Sequence, residues 1–258
     1  MVCNDYINVD VDVDVDVDVN KRKYIKEKIT VKLNTEVKGT HKMNVNMKYV
    51  VKKSPDGVGY IIIAAREIKT TVGVVAKGTV GGFLLRGNEL SQSDDNSWVF
   101  PEGKVYDGKV IGNAVVFGTA IDSNISENAV VGVKSHVERS TVKNQAIVSG
   151  RVRVYNSKIH SHAVIHCISF SGDKGDIVIE DSRVGGRAVI WGNGGCIRCA
   201  VVNGHAKISD GTTIKSSAVG GYATIADCVV YPCNRIYTGI YRGDSIAEDT
   251  IRQKPNMD

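Results

Sequence analysis

The chain has 258 residues, 24 % of them charged and 42 % hydrophobic, enough for one elongated domain or two modest ones with a true core. Aromatic content is 6 % and glycine outnumbers proline 27 to 4, which disfavours a helical bundle and favours β structure with many tight corners. A formal charge of +5, with the basic residues dispersed, argues against a dedicated nucleic-acid protein.

The opening MVCNDYINVD has no basic stretch followed by an apolar one, so no signal peptide is expected. The apolar runs are too short to span a bilayer, so no membrane insertion is expected. Six scattered cysteines read as reduced thiols of a protein made in the cytoplasm rather than as a disulfide framework.

Residues 1–20 form an arm in which Val9 to Val19 alternate strictly with Asp10 to Asp18, a period of two that puts Val on one strand face and Asp on the other. A Ca²⁺-binding comb needs oxygens converging from a turn, so an exposed arm, free or paired with a neighbouring subunit, is the better reading. Residues 21–97 read as a small antiparallel β region and lead-in. KITVKLN (28–34), MNVNMKYVVKK (43–53) and the run Tyr60 to Ala65 are strand-like, and Ser54-Pro55-Asp56-Gly57 is a turn. Gly73 to Ser97 reads as a Gly-rich polar passage.

From residue 98 to 230 the chain repeats. Ala-x-(Val/Ile) recurs at Ala114, Ala129, Ala146, Ala163, Ala188, Ala206 and Ala223. A Val or Ile precedes each Ala by four residues, and a small residue such as Ser123, Ser140 or Ser157 stands two residues before that. Each unit is two hexads followed by a looser third segment, such as Ala120-x-Asp122, Ser135-x-Val137 or Val152-x-Val154. Three short sides joined by corners make a triangular coil whose inward aliphatics are buried only when coils stack, about 4.8 Å apart. The fold class expected is therefore all-β, a parallel β-helix solenoid preceded by an antiparallel β region. Residues 231–258, with Pro232, Tyr237 and Tyr241, read as a terminal cap and tail that shields the last coil's edge.

The hexads resemble the hexapeptide-repeat family, and Gly73-Val-Val-Ala-Lys-Gly-Thr-Val-Gly-Gly-Phe83, Asn88 to Gln92 and Trp98-Val99-Phe100 are similar to the lead-in of its YdcK-like members. The resemblance covers roughly residues 58–230. It implies a left-handed, single-stranded β-helix, assembly as a homotrimer, and a bacterial or phage source.

The Ala163-to-Ala188 step is 25 residues where 17 is usual, so a loop leaves the prism between His166 and Glu180. Its polar residues Ser171, Asp173, Lys174 and Asp176 are candidate ligand contacts. His160, His162 and His166 flank it, and the family's acyltransferases use a histidine base beside such a loop. The competing reading is structural: His162 falls in a variable polar column with Asn113, Asn128, Gln145, Arg187, His205 and Tyr222. Cys196, Cys199, Cys228 and Cys233 suggest zinc, but Cys199 and Cys233 would be two coils apart, too far to share an ion, so no metal is expected. Gly185-Gly186 and Gly220-Gly221 read as corner glycines.

The leading expectation is a non-catalytic structural or binding protein, trimeric, phage-encoded, with virion or cell-envelope components as partners and no cofactor. It would be found in the cytoplasm or the virion. One alternative is a transferase using acetyl-CoA or another acyl-CoA. Another is a protein binding a sugar or small ligand at subunit clefts. The column assignment carries a test: Ile165→Asp places an unpaired charge inside a column and is expected to cost on the order of 4 kcal/mol or more, unfolding the prism locally. An unchanged melting curve would refute the column.

Overall fold

The computed structural model describes residues 47–93, 95–168 and 175–243, together with the backbone of strands Ser245–Ile246 and Ile251–Arg252. The Val/Asp arm and the 28–34 segment lie outside these residues. Among the described residues every regular element is a β-strand, and no helix is long and apolar enough to cross a membrane.

The described chain opens with an antiparallel sheet. Tyr49–Lys53 pairs with Tyr60–Ala64 from Tyr49↔Ala64 to Lys53↔Tyr60, around a turn in which Gly57 has φ of +74° and donates to the Ser54 carbonyl at 2.9 Å. Tyr60–Ala64 then pairs antiparallel with Val80–Leu84, a strand inside the segment that the sequence presents as a polar passage. Its composition hides it, because Gly81 and Gly82 are demanded by close packing. A Cβ on Gly81 would lie 2.6 Å from the Trp98 side chain, and one on Gly82 would lie 2.3 Å from the Gly103 carbonyl. Phe83 and Leu84 pair in parallel with Lys104 and Val105, which joins this sheet directly to the solenoid.

The rest is a parallel β-solenoid whose coils each have three faces. The first carries the small-x-(Val/Ile) strands, such as Thr141–Val142, Lys158–Ile159 and Arg183–Val184. The second carries the Ala-x-(Val/Ile) strands in one nine-stranded parallel sheet. The third carries His136–Glu138, Val152–Tyr155, Ile177–Glu180 and Gly195–Arg198. Side chains alternate along each strand, so the repeating aliphatics all point inward and equivalent ones stack in register. Val131, Val148, Ile165 and Ile190 form such a row, each nearly or wholly inaccessible to water.

Among the described residues the second face has nine strands, two more than the seven copies visible in the repeat. The first uses Ser97 in place of Ala, ahead of Trp98–Val99. The last is Ile240–Arg242, where Tyr241 replaces the aliphatic and pairs with Ile225. Gly239 makes room for that ring, since a Cβ there would lie 2.9 Å from the Tyr241 hydroxyl. Parallel pairing thus runs past Val230, through Arg235–Ile236 and on to Ile251–Arg252. In the third segment, Ala120 pairs with Val137 rather than standing in the Ser135 column. The corner after Val116 is two residues shorter than the corner after Val131, so Gly118 takes the place equivalent to Ser135.

Two corner columns hold the backbone in the left-handed region. One runs Gly112, Glu127, Asn144, Ser161, Gly186, Gly204 and Gly221; the other includes Asp122, Arg139, Asn156, Asp181, Cys199, Ser216 and Cys233. Asn, Asp and Gly accept this conformation most readily, which explains Gly186 and Gly221, whereas Gly185 and Gly220 before them are required by the close approach of His160 and Asn203. Beside the second column runs a ladder of buried serines. The amides of Ser140, Ser157, Ser182 and Ala200 donate to the hydroxyls of Ser123, Ser140, Ser157 and Ser182 at 2.9 to 3.1 Å. Each of those hydroxyls donates to the carbonyl two residues before it. Ala200 has no hydroxyl, so the amide of Ser217 lacks the bond its counterparts make.

Near the start of the solenoid a buried ion pair ties the antiparallel sheet to a corner. Lys48, with no exposed side-chain surface, places Nζ 2.5 Å from Asp95 Oδ1 and 2.9 Å from Ser97 Oγ. Asp95 Oδ2 accepts the Gly112 amide at 2.9 Å. Partial burial would raise the Asp95 carboxyl, but the hydrogen bonds from Lys48 and Ser97 and the Lys48 charge outweigh it and hold its pKa at about 2. Burial lowers Lys48 below the ordinary lysine value, so the pair's share of stability in acid lies with the carboxylate.

Ser157→Ala strands the buried Ser182 amide and is expected to destabilise by about 1–3 kcal/mol, whereas Ala200→Ser supplies the missing acceptor and stabilises by about 0.5–1.5 kcal/mol. Denaturant unfolding of the two variants reads both signs. The Asp95 carboxylate is lowered on folding, so its contribution is present above its ordinary value of 3.8 and is lost as pH falls towards about 2. Asp95→Asn is expected to cost about 3–5 kcal/mol at neutral pH, by leaving Lys48 buried without a counter-charge. It should also flatten the fall in melting temperature between about pH 4 and 2.

Candidate functional site

The three candidate histidines have separate settings. His166 lies on the second face in strand Val164–Cys167, between Ser149 and Trp191 on the adjoining coils. Its side chain points outward because Ile165 and Cys167 point in, and its Nδ1 is 2.7 Å from Ser149 Oγ. His160 begins the corner after Lys158–Ile159, and its Nδ1 is 2.9 Å from Ser161 Oγ. The ring fills the space above Gly185, where a Cβ would lie 2.3 Å from it. Burial lowers its pKa, and the charges of Lys158, Arg183 and Lys143 lower it further. His162 stands later in the same corner, where its amide donates to the Gly186 carbonyl just as the Gln145 amide donates to Ser161 and the Arg187 amide to Gly204. This is the polar column read in the sequence, and it includes the stacked rings of His205 and Tyr222, 4.9 Å apart. Among the described residues, no hydrogen bond joins any two of the three histidines.

The thiols are similarly dispersed. Cys199 and Cys233 lie exposed in one corner column with Ser216 between them, Cys196 is on the third face, and Cys228 is buried with its Sγ 3.0 Å from the Ala226 carbonyl.

The inserted residues fall between the second and third faces. Pairing is in register on both sides, with Val164↔Val189 on the second face and Val152↔Ile177 on the third, so the extra length lies between these two strands. Ser171, Asp173 and Lys174 lie outside the described residues. Asp176, where the chain rejoins the third face, lies opposite Arg151, and the Ile177 amide donates to the Arg151 carbonyl at 3.0 Å.

Here the third face carries a concave site of about 340 Å³, lined by Lys134, His136, Arg151, Arg153, Tyr155 and Asp176. Strand alternation builds it: Val152 and Val154 point inward, which sends Arg153 and Tyr155 outward beside His136 and Glu138 of the preceding coil. Lys134 comes from the longer corner ahead of His136, with φ of +63°. Asp176 links the two guanidiniums, with Oδ1 2.7 Å from Arg151 Nε and Oδ2 2.5 Å from Arg153 Nε. Glu138 is 3.3 Å from both His136 Nε2 and Arg139. The His136 and Tyr155 rings are 5.8 Å apart, inclined at 50°. Glu180, on the coil of Asp176, and Arg198, on the coil after it, continue the charged face, with Arg198 Nε donating to Glu180 Oε2 at 2.6 Å.

Three permanent cations and one carboxylate leave this site positive, and both arginines retain free terminal nitrogens after their Nε atoms are engaged. Of the residues singled out in the sequence, only Asp176 lies here. The arginines leave a faint signal, Arg-Val-Arg around an inward valine, but their meeting with Asp176 requires knowing the register across the insertion. No protein-family model and no curated protein matches the chain, so its placement rests on the coil itself: it is a parallel β-solenoid.

Proposed function

We propose that this protein is a non-catalytic structural or binding element: a rigid β-solenoid of the left-handed hexapeptide-repeat type, assembled as a homotrimer and carried on a phage virion or tail. The observation that carries the reading is an outward aliphatic row on the second face. Val130, Ile147, Val164 and Val189 are paired in register on successive coils, and Ile147 is 36 % exposed. On the last three of these coils the equivalent outward positions of the first face, Thr141, Lys158 and Arg183, are polar, and the column turns apolar only at Val201 on the coil after them. Covering such a row with other copies of the chain removes apolar surface from water, at roughly 25 cal/mol per Å². The histidines support the same reading, since His160 is packed over Gly185 and His162 belongs to a structural column.

A second reading, an acyl-CoA-dependent transferase, is favoured by the exposed contact between Ser149 Oγ and His166 Nδ1 at 2.7 Å, the arrangement of an acyl acceptor beside a base. Thiol release from acetyl-CoA, with a panel of amine and sugar acceptors, separates the two. The scaffold reading expects no turnover above background and equal traces for wild type and His166→Ala. Turnover abolished by that substitution would overturn it. Light scattering is expected to give three times the 27.8 kDa chain mass, and a monomer would remove the assembly claim.

A further inference from the structure

We propose that the third-face cleft binds an acidic sugar: a ring-sized saccharide unit bearing a carboxylate or sulfate. This deepens the binding side of the function proposed above and rests on it.

Charge sets the sign of the ligand. Lys134, Arg151 and Arg153 face one carboxylate, and Lys134 pairs with no acid among the described residues. Asp176 accepts a hydrogen bond from Arg151 Nε and is ion-paired with Arg153 Nε, and the terminal N–H groups of neither arginine are paired with another acid among the described residues, so they can meet an incoming oxyanion. The side chains of Arg151 and Arg153 are 42 % and 55 % exposed, so the ligand reaches them without any rearrangement of the core. A cleft anchored on three successive paired coils is preorganised, which lowers the ordering cost of binding.

Size and wall set its body. A volume of about 340 Å³ lies at the small end of ligand sites, enough for one ring with its substituents while a longer chain runs out over the flat face. The inclined Tyr155 and His136 rings offer an apolar wall with polar tips, suited to a sugar's C–H face and its hydroxyls. A bare inorganic anion would leave that wall unused. Nucleic acid would need a longer basic track, and Glu138 and Glu180 interrupt it on the neighbouring positions of the same face.

The test is calorimetric titration of the full chain with a uronic-acid tetrasaccharide, its sulfated counterpart, a neutral tetrasaccharide of the same length, inorganic sulfate and a single-stranded DNA oligomer. At least one of the two acidic saccharides is expected to bind, more weakly as salt is added. Arg153→Gln and Lys134→Gln are each expected to weaken it about tenfold or more, while Arg183→Gln on the first face leaves it unchanged. If Arg153→Gln lowers the melting temperature, Lys134→Gln, which breaks no ion pair among the described residues, decides alone. Failure of both acidic saccharides to bind, equal binding of the neutral one, equal or tighter binding of sulfate or DNA, or an unchanged affinity in the Lys134 variant would each overturn the proposal. Sizing and thiol release report on the scaffold reading without any saccharide, so the two can fail separately.

Discussion

Everything in this molecule depends on one constraint: no coil can shelter its own inward aliphatics. A side of two to four residues presents one or two Val or Ile side chains to the interior, and only the coils above and below keep them dry. Parallel pairing in strict register meets that demand, because it sets like upon like. Val148 lies against Ile165, and Ile165 against Ile190. A slip of one residue would turn every aliphatic to solvent, so the columns and the hydrogen-bond ladder specify each other.

The corners solve the second problem, which is turning a chain sharply without abandoning buried polar groups. Left-handed backbone makes the turn, and serine hydroxyls tie each corner to the next one along. This is why Ser recurs at Ser123, Ser140, Ser157 and Ser182, although it contributes little apolar surface. Its hydroxyl is short enough to fit the angle and can donate to its own coil while accepting from the next. The Lys48–Asp95 pair performs a similar task at the N-terminal end, where the regular pattern has not yet begun.

The prism was legible because its signal repeats: inward position after inward position demands the same side chains, so even short strands announce themselves. The ends were less so. Ser97 and Tyr241 meet the same packing needs with different residues, one by being small and polar, the other by filling the terminal space opened at Gly239. The Gly81–Gly82 strand was hidden because its residues answer to close approach rather than to burial of their own side chains. The cleft was the least visible part. Its six residues come from three successive coils, and only the in-register pairing of Val152 with Ile177 brings Asp176 to the two arginines. The histidines drew notice as chemically versatile residues, yet the positions of His160 and His162 follow from corner geometry.

The in-register pairing on both sides of the extra residues after Ile168 has a broader consequence. Because the strands on either side keep their partners, segment length there is decoupled from the integrity of the stack. Such a molecule can vary its outer decoration one vertex at a time, lengthening or recharging a single bend while the interior stays the same. Recognition and folding are thereby inherited as separate modules, and new surface chemistry can be tried at a vertex with little risk to the fold that displays it.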